Sequence, residues 1–145
     1  MSAVIPGAGT NRRIARRIRV IVADEDAEIA FGLDDLVGAY WDIVHTATEA
    51  GTIRELRVGG ADVLVVAYDL GGLPGPAIAD AARSVYPEPA VVIVTDDHSP
   101  SREAEARRAG VLAYEPKPVD ASRLLRILMG FVNARRRLAA GRTSG

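Results

Sequence analysis

The sequence predicts an α/β fold, a doubly wound five-stranded parallel sheet with helices on both faces. Three observations carry this expectation. Short apolar runs alternate with amphipathic stretches along the chain. That alternation implies right-handed crossovers, which make neighbouring strands parallel. One run, VLVVAY from Val63 to Tyr68, is apolar on both faces and therefore suits a central strand. The bulk figures agree with one globular core: 145 residues, 48% hydrophobic and 26% charged.

Taken in order, Arg19 to Ala23 (RVIVA) reads as the first strand, stopping at the acidic cluster Asp24, Glu25, Asp26. Ile29, Leu33, Leu36 and Val37 then follow helical spacing, with Asp34 and Asp35 outward. Asp42 to Ala47 is the second strand, and Thr52 to Val58 a short helix ended by Gly59 and Gly60. The central run is followed by a loop of Gly71, Gly72, Pro74 and Gly75 and a helix from Ala77 to Val85. Ala90 to Thr95 (AVVIVT) is the fourth strand. Ser99 and Pro100 signal a helix start, and Gly110 closes that helix after Ala109. Leu112 to Glu115 is the fifth strand. Asp120 caps a last helix whose stripe is Leu124, Leu125, Leu128, Phe131 and Val132.

At the ends, residues 1–17 carry Arg12, Arg13, Arg16 and Arg17 without apolar periodicity and read as a flexible basic arm. Residues 18–140 form the domain, and 141–145 a frayed tail. Eighteen basic against nineteen acidic residues give a net charge of −1, which argues against a strongly basic nucleic-acid binder. With no cysteine there is neither a disulfide framework nor a thiolate zinc site. Nothing approaches the roughly 18 apolar residues of a membrane span, and no secretion signal opens the chain, so a cytoplasmic protein is expected.

In sheets of this kind ligands sit beyond the C-terminal strand ends. Asp24 and Glu25 follow the first strand, Ala67 to Asp69 end the third, Thr95 ends the fourth, and Lys117, the only lysine, follows the fifth. Two carboxylates, a hydroxyl and an ammonium at one sheet edge suit a divalent cation beside a phosphoryl group. A blander reading has Asp24 and Glu25 simply favouring a helix N-terminus. His45 and His98 lack metal-site spacing, and Trp41 and Tyr114 have ordinary packing roles open to them.

Over about residues 18–138 the chain resembles the receiver domain of two-component response regulators, a flavodoxin-like fold. The resembling stretches are IRVIVADEDAEI, LGGLPG after VLVVAY, the VIVT strand end and AGVLAYEPKP. The resemblance implies that Asp24 and Glu25 match the acidic pair that helps bind magnesium. It likewise makes Thr95 and Lys117 the phosphoryl contacts, Tyr114 the aromatic that changes rotamer, and the bond before Pro118 cis. The departure is at the acceptor: Ala67 stands where the phosphorylated aspartate belongs, with Gly75 matching the glycine that closes the following loop. A shift of two residues would make Asp69 the acceptor, but it breaks the match at Gly75. Asp96, where the family usually has a small residue, adds a further carboxylate at the entrance.

The expected function is therefore that of a degenerate receiver, a signalling and protein-interaction module that is not an enzyme and is independent of phosphorylation. Lys117 is expected to pair with Asp24 or Glu25, leaving at most weak magnesium binding and no other cofactor. Partner proteins, and a homodimer as a second option, are expected on the face of the fourth helix, fifth strand and fifth helix. That face would use Arg107, Arg108, Tyr114, Arg123 and the apolar stripe of the last helix. A phosphorylatable receiver using Asp69 is the alternative. A small nucleic-acid-contacting regulator, using the arm and Arg135 to Arg137, is disfavoured. The chain is expected to be too short for a separate DNA-binding domain unless it is a fragment.

Overall fold

A computed structural model describes residues 17–71, 73–85 and 88–144. The strands of the main sheet are β1 (Ile18–Ala23), β2 (Trp41–Thr46), β3 (Val63–Ala67), β4 (Ala90–Thr95) and β5 (Ala113–Pro116). In the stretch expected as a loop, Asp69–Leu70 pairs antiparallel with Leu73–Pro74. The helices are α1 (Glu28–Leu36), α2 (Glu49–Gly59), α3 (Gly75–Ala82), α4 (Pro100–Arg108) and α5 (Ala121–Ser144). All strand pairs in the sheet are parallel, in the order β2-β1-β3-β4-β5. The order reverses between β1 and β3, which puts the crevice for a ligand at the ends of those strands.

Strand residues alternate between two cores, as the period of two requires. Val20, Val22, Val63, Val65, Val92 and Val94 meet Ile29 and Leu33 of α1 and Leu124, Leu128 and Val132 of α5. Ile21, Leu64, Val66 and Ile93 meet Leu56 of α2, Ile78, Ala79 and Ala82 of α3, and Ala106 of α4. All five residues of β3 are buried, as befits the central strand.

Several expectations need correction. The apolar stripe of α5 is not free for a partner. Leu124, Leu128 and Val132 are buried, and Leu125 and Phe131 pack beside them. The large apolar side chains that α5 does expose are Met129 and Leu138. The frayed tail expected from Gly141 is instead helical through Ser144. The N-terminus of α4 is not capped by the Ser99 side chain. Asp97 Oδ1 accepts from the Ser99 backbone N–H at 2.9 Å, forming the turn that leads into the helix. The α2 helix starts at Glu49, earlier than expected, because Thr48 caps it by accepting from the Gly51 N–H at 3.0 Å. β5 lies one residue later than expected, ending at Pro116, and α3 ends at Ala82 rather than Val85. The basic arm, Arg17 excepted, lies outside the described residues.

Candidate functional site

The ends of β1, β3, β4 and β5 enclose a pocket of about 260 Å³ lined by Asp24, Glu25, Asp26, Ala67, Tyr68, Asp69, Val94, Thr95, Asp96 and Lys117. Its floor follows from register. Ala67 ends β3 beside Val94, and Ala23 ends β1 beside Val66, so the residues after each strand reach the same edge. The β5–α5 turn brings in Lys117, whose N–H is held by the Thr95 carbonyl at 2.7 Å. The Lys117–Pro118 peptide is cis.

Asp24 is buried and its Oδ2 lies 2.7 Å from Lys117 Nζ, an ion pair at the centre of the pocket. Its Oδ1 accepts from the Asp26 N–H at 3.1 Å, and its backbone carbonyl accepts from His45 Nε2 at 2.8 Å. Glu25 points out of the pair: its Oε2 accepts from the Gly71 N–H at 3.2 Å, tying the β1–α1 turn to the loop after β3. Ala67, 5% exposed, brings only a methyl group to the floor. Asp69, two residues on, is exposed and its Oδ2 is 3.1 Å from Arg102 Nη1.

Thr95 and Tyr114 both turn toward Asp97. The Thr95 hydroxyl oxygen accepts from the Asp97 N–H at 3.0 Å, and the Tyr114 hydroxyl donates to the Asp97 carbonyl at 3.4 Å. Burial pushes the Tyr114 phenol up from its ordinary value. Asp96 is exposed on the rim. Of the residues expected on the partner face, Arg107 pairs with Glu103 at 2.7 Å and Arg123 with Glu115 at 2.9 Å, while Arg108 is exposed.

A second cluster beside the pocket was not singled out from the sequence. Tyr68, 6% exposed, donates its hydroxyl to Glu105. Arg102 lies over the Tyr68 ring, 4.4 Å from its centroid, and also reaches Asp97 at 3.2 Å. The hydrogen bond to Glu105 first, and burial second, push the Tyr68 phenol up to about 12. These contacts join β3 to α4 across more than thirty residues. No local periodicity announces them; the polar composition of α4 was the one available signal.

Chemically, the pocket offers a carboxylate paired with Lys117, a second already accepting a backbone N–H, three more at Asp26, Asp69 and Asp96, and only a methyl group at the end of β3. Among the described residues no group of three or more His, Cys, Asp or Glu is arranged to hold a metal ion. No helix among them is long and apolar enough to cross a membrane.

No protein-family model matches the chain. The receiver domain protein (CheY-like) of Methanospirillum hungatei JF-1 superposes with a TM-score of 0.74 at 18% identity, covering 83% of this chain and 98% of that one. The signal receiver domain of an HD domain-containing protein from Pseudomonas fluorescens Pf-5 gives 0.74 at 20% identity, over 84% and 99%. The transcriptional regulatory protein CitT of Bacillus subtilis (strain 168) is 27% identical over 124 residues, 83% of this chain. The chain spans 55% of that relative's length. With the five-stranded order and the strand-end pocket, these likenesses give the chain the CheY-like, flavodoxin-type fold of response regulator receiver domains.

Proposed function

We propose that the protein is a receiver-type signalling domain of the two-component kind that has lost phosphorylation at the usual position. On this reading it acts as a protein-interaction module in the cytoplasm and not as an enzyme. The observation that carries the reading is the Asp24–Lys117 ion pair, 2.7 Å, above an alanine floor. On this reading Ala67 takes the acceptor position, and an alanine side chain has no lone pair with which to attack phosphorus. Lys117, which would meet a phosphoryl oxygen, spends its charge on Asp24 instead.

The donor set also fits a resident magnesium ion poorly. Magnesium asks for near-octahedral oxygen ligation. Asp24 is occupied by Lys117 and the Asp26 N–H, Glu25 by the Gly71 N–H, Asp26 by the Glu28 N–H and Asp69 by Arg102, and position 67 supplies no side-chain oxygen. Regulation would then reside in what the domain binds. The α4, β5 and α5 face remains the candidate surface for a protein partner or a second copy, through Arg108 and the paired Arg107 and Arg123 rather than the α5 stripe.

Magnesium titration by calorimetry, with and without beryllofluoride, tests this reading. No binding heat in the millimolar range supports it. A magnesium-dependent beryllofluoride complex, abolished by Asp69→Asn, would instead establish Asp69 as an acceptor.

A further inference from the structure

The α4 helix is packed in an unusual way. Its sequence, PSREAEARR, buries Ala106 and no large apolar side chain. By comparison, α5 seats Leu124, Leu128 and Val132 in the core. Arg102, one turn before Ala106, and Glu105, three residues after Arg102, reach toward the sheet, and both end on Tyr68. Arg102 does more than cover the ring. Its Nη1 is 3.1 Å from Asp69 Oδ2, on the loop after β3, and its Nε is 3.2 Å from Asp97 Oδ2, on the loop after β4. One guanidinium thus ties α4 to two loops and a buried aromatic.

Elements with few buried apolar contacts open locally at a lower free energy than the rest of the fold. Ion pairs as solvent-exposed as Arg102–Asp69 are weak and screened by salt. We propose that α4 is a latched helix: Arg102 and Glu105 clasp it to Tyr68, and breaking the clasp lets α4 swing out as a unit while the sheet and α5 stay folded. Opening uncovers the Tyr68 ring at the mouth of the pocket, so the position of α4 is set by ionic contacts. This inference rests on the geometry around Tyr68 and not on the reading of Ala67. The two stand or fall by different measurements.

Hydrogen exchange followed by mass spectrometry on the full chain tests it. In wild-type protein, amides of residues 103–109 are expected to show protection at least about tenfold below those of 124–132, as an independently opening element should. Raising sodium chloride from about 0.05 to about 0.5 M, which shortens the screening length several-fold, should lower protection in α4 alone. Arg102→Ala should lower it further and remove the salt response, and Tyr68→Phe should lower it without removing that response. Equal protection of α4 and α5 in wild-type protein, or an α4 that ignores both salt and Arg102→Ala, would overturn the proposal. Should Arg102→Ala fail to fold, the wild-type salt series decides alone.

Discussion

Tyr68 holds its proton unusually firmly, with a phenol pushed up to about 12. A folded-state value above the unfolded one means that the fold favours the protonated form. The stability this contributes is fully present below pH 10, and it is lost as pH rises through about 12. Ultraviolet titration of tyrosinate absorbance should therefore show a late component that Tyr68→Phe removes. Glu105→Gln should bring that component down, because it takes away the carboxylate that accepts the phenol proton and, with it, a neighbouring negative charge. Ala67 gives the complementary test at the pocket floor. Ala67→Asp would add a carboxylate beside Asp24 and Glu25 in a pocket whose lining holds one ammonium, so it should lower the urea midpoint without metal, by about 1–3 kcal/mol in stability. Magnesium should restore it, and calorimetry should read a new affinity. Phosphoryl labelling by acetyl phosphate should stay poor until Asp96→Ala also clears the rim. Trp41 fluorescence would be a poor reporter of either step, since Trp41 opens β2 beside Ile18, at the sheet end away from the pocket. That Lys117 would pair with Asp24 or Glu25 could be anticipated because strand ends converge by topology; that Asp24 takes it, with Glu25 held by the Gly71 N–H, could not. Tyr68, Arg102 and Glu105 could not, because their contact depends on how far α4 slides along the sheet.

Among the elements, α5 and α4 mark opposite extremes of attachment. The α5 helix is held by its stripe, and burying one leucine contributes about 1.5–3 kcal/mol. Leu128 is fully buried and Met129, its neighbour, is 44% exposed. Leu128→Ala should cost about 2–5 kcal/mol in urea denaturation, and Met129→Ala less than about 0.5 kcal/mol. If the two cost the same, the helix is rotated from the orientation described. The helical period was plain in the sequence, and so was the face it defines. Which use the face served was not, because a stripe that fills a core and a stripe that greets a partner have the same spacing. Element ends were read less well for a related reason. The starts of α2 and α4 are fixed by Thr48 and by the Asp97 turn, short-range hydrogen bonds that apolar periodicity does not register.

For the molecule as a whole, parallel pairing and handedness followed from the alternation of apolar runs with helices, and the structure supplies the strand order. The same order makes the position of the pocket a consequence of the fold. Carboxylates crowd that end: Asp24, Glu25, Asp26, Asp69 and Asp96 line the pocket with Lys117 as its one cation among the lining residues. Such a field disfavours a dianionic phosphoryl group whichever residue would accept it. The central claim is that this fold is retained without its covalent chemistry. Intact-mass measurement after incubation with acetyl phosphate and magnesium tests it most directly. The account predicts an unchanged mass for the wild-type chain and for Asp69→Asn alike. A gain of one phosphoryl group in the wild-type chain that Asp69→Asn abolishes would contradict it.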